Sequence, residues 1–416
     1  MIIIINLSTN YNISMKLISY ITLLSLLIRG AGFSPAPERI YHSDSSICGH
    51  VDTTDNSWAL LPFIKSDDVN PILKPGQGSF IDPILRTSVL WEEKDVFNPA
   101  IVKKNGRVYM LYRAQDKTGK PFGTSRIGLA ESTDAIHFKT LRAPVFYPKP
   151  DKYKKYEWQG GCEDPRVVQD VKGTYYMTYT AYDGVNARLL VATSADLIHW
   201  IKHGSVFAKA YNGKYLNKWS KSGSIVSTYK NGTPVATRIN GKYWMYWGDQ
   251  EIWIATSDDL INWTPVEMNA GEHAPVPIRG QAKNMPALKI ALPTRNGKFD
   301  SDLVESGPPA ILTKKGIVLI YNSRNVPSFG DKSLAEGTYT VAEVLFDRHN
   351  PAKIIHRLDK WFLKPEQPYE LTGQVNQVCF AEGLTRFNNK WYLYYGTADS
   401  KIAVAVCSNV QNSLDF

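Results

Sequence analysis

The chain has 416 residues, 43% of them hydrophobic and 21% charged, which excludes a disordered, self-repelling polymer and leaves ample apolar material for a buried core. Its formal net charge of +9 comes from Lys and Arg scattered along the whole length, and the densest cluster, Lys149 to Lys155, is interleaved with Asp151 and Tyr153. A nucleic-acid binder gathers its positive charge on one face, so this pattern reads as a solvated surface and excludes a nucleic-acid partner. Aromatic residues reach 12%, with 11 Trp and 23 Tyr, a composition that suits pleated sheets and also suits sites where flat rings stack on sugars.

At the N-terminus, Lys16 precedes an apolar run from Leu17 to Ile28, followed by the small residues Gly30, Ala31 and Gly32. This is the pattern of a secretory signal peptide over residues 1–33, with Met15 as a candidate start. The run is too short for a membrane span, and no later stretch is longer, so a secreted or periplasmic protein without a membrane span is expected. The cysteines, Cys48, Cys162, Cys379 and Cys407, form no metal-binding spacing; Cys379 and Cys407 are the pair an oxidising compartment could join.

The rest of the chain repeats itself. Segments starting at Asn105 (NGRVYMLYRAQ), Lys172 (KGTYYMTYTAY), Asn240 (NGKYWMYWGDQ), Lys315 (KGIVLIYNSRN) and Asn389 (NKWYLYYGTAD) each open on a polar turn and continue as an aromatic, β-branched strand. Three are followed by a second strand and a common ending: IGLAESTDAIHF, LLVATSADLIHW and IWIATSDDLINW. In each ending an S-x-D turn, capped by its Asp, precedes a ring (Phe138, Trp200 or Trp263) that packs between neighbouring sheets. A repeat of this length built from short strands predicts an all-β, five-bladed β-propeller over residues 34–416, a single catalytic domain. The last repeat is truncated, which predicts closure by a strand from residues 70–90. A β-sandwich would explain neither the spacing nor the shared ending.

Propellers bind ligands where their inner strands converge, so polar residues that break the blade pattern are the candidates. These are Asn98 (DVFNPA), Arg113 (MLYRAQ), Glu163, Asp164 and Arg166 (GGCEDPR), and Asp249 (YWGDQ). Further on come Glu305 (LVESGPPA), Asn322 (LIYNSRN), Glu382 (FAEGL) and Asp399 (YYGTADS). Carboxylates dominate, as glycoside hydrolysis requires: one acid protonates the leaving oxygen and a second carboxylate activates water or attacks carbon. Arg166 is expected to pair with its neighbour Glu163. Nothing in the chain suggests a nucleotide, metal or redox cofactor.

These motifs are similar to those of glycoside hydrolase family 130, over roughly residues 70–408, with GGCEDPR and YYGTADS the most specific. The resemblance implies a five-bladed propeller, inversion, and a mannose-containing oligosaccharide as substrate; the family holds β-mannoside phosphorylases and a branch of β-1,2-mannosidases. It implies that Asp164 is the proton donor, acting through a mannose hydroxyl, and that Asn98, Arg113, Arg166 and Asp399 line the mannose subsite. Phosphorylases of the family carry Arg and His where this chain has Gly248 and Asn322. Loss of those donors beside Asp249 and Glu305 disfavours a phosphate dianion.

Glu305 in ESGPP matches the hydrolase branch, whereas Asp249 replaces that branch's Glu with a side chain one methylene shorter. Glu251 is a possible substitute, and the insert from Gly271 to Lys298 departs from the branch. The expected activity is that of an inverting exo-β-mannosidase, with Asp164 as acid and Asp249 and Glu305 handling water. The alternatives are a phosphorylase and a glycan-binding propeller without turnover.

Overall fold

Each of the five repeat segments forms the second strand of an antiparallel meander. The computed structural model describes residues 56–120, 122–269 and 287–408, which belong to one unit, residues 51–416. The first meander pairs Asp95–Lys104, Arg107–Gln115, Ser125–Ser132 and Lys139–Thr140 in order. The second pairs Gly161–Gln169, Tyr175–Tyr182, Ala187–Ser194 and Ile201–Ser205. The third pairs Ser224–Ile225, Tyr243–Trp247, Ile252–Ser257 and Trp263–Pro265. In the fourth, Leu303–Ser306 and Ile311–Leu312 both pair with Ile317–Arg324, followed by Tyr339–Phe346 and Ile354–Arg357. The fifth joins Cys379–Phe387, Lys390–Thr397 and Lys401–Cys407.

The local chemistry explains these elements. Asn105-Gly106 and Asn240-Gly241 all have positive φ (50°, 76°, 51° and 81°), the conformation of the tight hairpin turn that Asn-Gly favours. The S-x-D endings form one repeated turn: Ser132 Oγ accepts from the Ala135 amide, and Asp134 Oδ1 accepts from the Ile136 and His137 amides. Ser194 with Asp196 and Ser257 with Asp259 repeat the arrangement. Phe138 then meets Tyr394 of the fifth meander edge-on, ring centres 5.8 Å apart. Burying a ring of this kind contributes on the order of 2–3 kcal/mol.

Apolar clusters lie between successive sheets. One joins the first and second meanders through Leu111, Ile127, Met177 and Leu190, and another joins the second and third through Val191, Ile225 and Trp247. A third runs through the third, fourth and fifth, and the fifth packs back on the first through Tyr394, Val404, Val108 and Met110.

Closure differs from expectation. The fourth strand of the fifth meander is Ile64–Lys65, paired with Val406 and Ala405, upstream of residues 70–90; from that range Leu73 bridges the sheet at Ile402, and the Asn70 side chain bonds both backbone groups of Val404. Ser79–Ile81 and Ser88–Leu90 instead pair with each other. Lys65 fixes the closing strand, its Nζ lying 2.7 Å from the buried Glu370 Oε2.

Cys379 and Cys407, the pair an oxidising compartment could join, are not bonded to each other. Cys379 is a buried thiol opposite Thr397, whereas Cys407 lies opposite Trp391, at the other end of the same sheet. The signal segment, Cys48 and residues 271–286 of the insert lie outside the described residues.

An unforeseen hairpin, Ser227–Lys230 with Thr233–Ala236, leaves the third meander and bonds to the other four. Val235 pairs with Gln169 and Ser227 with Ile311; Thr233 Oγ1 donates to Lys103 O, and Thr385 Oγ1 donates to Gly232 O at 2.7 Å. All these contacts fall at the same end of the first strands. The opposite end is left for the polar residues.

Candidate active site

The candidate residues sit where the first strands are interrupted. A bulge falls between Phe97 and Pro99, another between Glu163 and Arg166, and a third between Ala381 and Gly383. The residues thrown out of register are Asn98, Asp164 with Pro165, and Glu382. Pro99 and Pro165 have no amide hydrogen to give the ladder, which breaks there and turns its polar neighbour inward. Asn98 and Asp164 both have φ of 48°, a left-handed conformation that Asn and Asp tolerate better than most residues.

Asp164 lies at the centre of the first group. Its Oδ1 accepts from Asn98 Nδ2 at 3.0 Å and Arg113 Nη1 at 2.9 Å, and its Oδ2 is 3.7 Å from Lys221 Nζ. Burial pushes its pKa up, but the Arg113 and Lys221 charges and the Asn98 bond outweigh this and hold the carboxyl well below the usual range. Arg113 also donates to Glu163 Oε1 at 2.7 Å, so one guanidinium grips both adjacent carboxyls. Burial raises the Glu163 pKa against that cation. Asp399 is pushed up to about 6 by burial, with Arg113 opposing and Asp164 assisting.

Glu305 and Asp249 form a second group. Glu305 accepts from Ser222 Oγ, and Asp249 Oδ2 accepts from Trp219 Nε1 at 2.7 Å. Burial lifts the Glu305 pKa to about 7; Lys221 opposes this and Asp249 reinforces it. Both line a cavity of about 440 Å³ that also reaches Asp302 and Arg324. A smaller cavity of about 160 Å³ is lined by Arg113, Glu163 and Tyr182. Trp219 and Lys221 line both.

Three residues expected as substrate contacts, Arg166, Glu382 and Asn322, are buried against the framework. Arg166 does not pair with Glu163: its Nε donates to Gly307 O at 2.8 Å, its Nη2 to Ser306 O at 2.6 Å, and Nη2 lies 3.1 Å from Glu382 Oε1. The guanidinium therefore ties the Asp164 strand to the Glu305 strand from beneath. Glu382 is fully buried, and burial raises its pKa well above the usual value. Asn322 is also fully buried, its Nδ2 donating to Ala381 O at 3.0 Å and its Oδ1 accepting from Ala381 N at 2.7 Å.

Sequence reading missed Trp219, Lys221 and Ser222, and these give one partner to each candidate catalytic carboxylate: Asp249, Asp164 and Glu305. They stand where Asn98 and Asp164 stand in their own repeats, just before or within the first strand. The inserted hairpin pushes that position away from the Asn240 segment and so hid the equivalence. The signal that could have exposed it is Asn231-Gly232, a hairpin turn inside the repeat.

Residues 80–415 match the family model for glycoside hydrolase family 130, described as β-1,4-mannooligosaccharide phosphorylase. A 1,2-β-oligomannan phosphorylase of Thermoanaerobacter sp. (strain X514) is 33% identical over 76% of this chain and 90% of its own length. A solved glycosyl hydrolase of Bacteroides ovatus is 45% identical, with a TM-score of 0.79 over 86% of this chain and 96% of its own. Another solved structure comes from work describing glycoside hydrolases of the family that target β-1,2 mannosidic linkages in Candida mannan. It is 45% identical, with a TM-score of 0.78 over 84% of this chain and 94% of its own.

Proposed function

Because the chain belongs to glycoside hydrolase family 130 and is an enzyme acting on β-mannosides, we propose that it hydrolyses them from the chain end with inversion. We read β-1,2-linked mannooligosaccharides as the substrate, a five-bladed propeller as the scaffold, and an exported location. Asp164 is assigned as the acid. Glu305 is assigned as the base that takes a proton from water, with Asp249 helping to place that water. Asn98 Oδ1 has no hydrogen-bond partner among the described residues, which suits a sugar hydroxyl donating to it.

The observation that carries hydrolysis over phosphorolysis is the state of the anion positions. Gly248 has φ of 120°, and a Cβ there would lie 2.3 Å from Glu251 O, so no cationic side chain fits at that position. Asn322 has both amide atoms committed to Ala381. The cavity beside them is lined by Asp249, Glu251, Asp302 and Glu305, against Lys221 and Arg324. A phosphate dianion would meet this carboxylate excess without the donors that normally offset it.

A phosphorylase is the second reading, favoured by the named activity of the Thermoanaerobacter relative and by Lys221 and Arg324 in the same cavity. Product analysis with β-1,2-mannobiose, with and without inorganic phosphate, separates the two. Hydrolysis predicts free mannose at the same rate in both, released first as the α anomer. Mannose 1-phosphate formed only with phosphate would establish the phosphorylase instead.

A further inference from the structure

At the end of the strands away from the candidate site, folding gathers positive charge that the sequence scatters. Lys103 and Lys104 close the first strand of the first meander, and Arg386 stands near the end of the first strand of the fifth. Lys172 lies in the turn after the first strand of the second meander, and Lys230 closes the first strand of the inserted hairpin. The five surround the hairpin tip, Asn231-Gly232, and line two cavities, of about 720 Å³ and about 420 Å³, that share Lys103 and Asn231. The one carboxylate lining either cavity is Asp170, whose Oδ1 is engaged by the Lys172 and Thr174 amides at 2.8 and 2.9 Å. None of the five cations has an ion-pair partner among the described residues.

Surface lysines are ordinarily mobile and solvated, but two of these are held. Lys103 Nζ lies 5.3 Å from the centre of the Phe387 ring, and Lys104 Nζ lies 5.6 Å from that of Tyr175. The tip between the cavities is fixed as well. Thr233 Oγ1 donates to Lys103 O, Thr385 Oγ1 donates to Gly232 O, and a Cβ on Gly232 would come 2.2 Å from Arg386 O. Asn105, Asn231, Asn388 and Asn389 stand between the cations in left-handed turns, with φ of 50°, 51°, 46° and 60°. An amide side chain both donates and accepts, as recognition of a sugar hydroxyl requires.

We propose that this face holds an anionic glycan, a sugar chain bearing phosphate or carboxylate groups, at a site separate from the candidate active site. The cations answer the anionic groups and the asparagine amides answer the hydroxyls. Both cavities are recesses beside a narrow hairpin tip, a shape that admits a thin chain and not a nucleic-acid duplex. Five residues of extended strand separate Asn98 from Lys103 and Asp164 from Gln169, so the two ends lie roughly 16 Å apart. A polymer held here leaves the candidate active site open.

That the polymer is a glycan rests on the mannosidase reading; that it is anionic does not. The test measures binding of the full chain to β-mannan carrying chemically added phosphate, to polygalacturonate, to unmodified β-mannan and to a DNA duplex. Two variants accompany wild type: Lys103→Gln with Lys230→Gln and Arg386→Gln, and Lys172→Glu with Lys230→Glu, the second pair fully on the surface. Wild type is expected to bind at least one of the two acidic glycans about tenfold or more tightly than unmodified mannan, with affinity falling as salt is raised. Whichever of the two binds more tightly identifies the anionic group. Each variant is expected to lose about tenfold or more of that affinity while keeping the wild-type unfolding midpoint and its rate on β-1,2-mannobiose within about twofold.

Acidic and unmodified glycans bound equally, or acidic-glycan affinity unchanged in both variants, would overturn the proposal. So would a DNA duplex bound as tightly as the acidic glycans. Acidic-glycan binding that depends on these cations in a protein releasing no mannose would sink the mannosidase and leave this face standing. Mannose release without acidic-glycan binding would do the reverse.

Discussion

Glu305 should set a limb of the kcat/KM–pH profile near neutrality, and two substitutions around it should move that limb in opposite directions. Its pKa stands at about 7 because burial and Asp249 raise it, while Lys221, Arg166 and the Ser222 hydroxyl lower it. Ser222→Ala removes a donor to the ionised form. A hydrogen bond to a charged group contributes about 1.5–3 kcal/mol. At about 1.4 kcal/mol per pKa unit, the limb should rise by roughly one to two units. Asp249→Asn removes a neighbouring negative charge that raises the Glu305 pKa, so the limb should fall.

The assay is mannose release from β-1,2-mannobiose across pH 4.5 to 9.5. Absolute rates will drop in both variants, but the midpoint can still be read. Asp399, at about 6, is the nearest competitor for the assignment, yet its shift arises from burial, Arg113 and Asp164 and not from Ser222 or Asp249. Limbs that move together in the two variants, or a wild-type limb at the ordinary carboxyl value, would refute Glu305 as the titrating group.

Three further outcomes are expected. Glu343 is fully buried and raised by burial to about 8, with its Oε2 accepting from Leu60 N at 2.9 Å. The folded state therefore holds a proton that the unfolded state loses above about 4.5, so stability contributed by the neutral form is full below that pH and declines as pH rises towards 8. By pH 7 the decline is on the order of 3 kcal/mol; the melting temperature of wild type should fall from pH 5 to 8, and Glu343→Gln should flatten that slope. Gly396→Ala would place a Cβ 2.4 Å from Asn98 Oδ1 and displace the Asp164 partner, so kcat should fall about tenfold or more, with a Tm change too small to account for it. Asn322→Ala removes two buried bonds to Ala381 and should cost roughly 2–4 kcal/mol in denaturant unfolding while leaving KM within about twofold; a large rise in KM with unchanged stability would return Asn322 to the substrate site.

The repeat was legible because its physics is local. An Asn-Gly turn, an aromatic strand and an S-x-D ending each specify their own backbone, and five copies at similar spacing leave little room for another arrangement. Asp164 and Asn98 were legible for a related reason: a polar residue before Pro cannot continue a ladder, so it marks a bulge. What was not legible depends on contacts between repeats. Arg166 was expected beside Glu163, two positions from Asp164, but that pairing competes with the carbonyls of Ser306 and Gly307, which only the folded chain brings near. Asn322 reads as a polar intruder in a strand, and only the pairing geometry shows that it satisfies the Ala381 backbone. The closing strand at Ile64–Lys65 is too short to carry a pattern; its partner Glu370 lies about three hundred residues away.

Asp164 and Glu305 carry their protons in an order that fixes the sign of the limb near pH 7. Arg113, Lys221 and Asn98 keep Asp164 ionised in the empty site, while burial keeps Glu305 protonated up to about 7. Acid catalysis by Asp164 with base catalysis by Glu305 requires the reverse distribution, a proton on Asp164 and none on Glu305. The pair shares one proton over the working range, and the reactive arrangement is its minor tautomer. Activity measured as kcat/KM should then fall as pH rises through about 7, because the last shared proton leaves there. A sugar in the site excludes water from Asp164 and raises its pKa, so the corresponding limb in kcat should lie higher. The opposite sign, a kcat/KM that climbs through pH 7, would mean that Glu305 acts as a simple base and that the proton for the leaving oxygen does not come from Asp164.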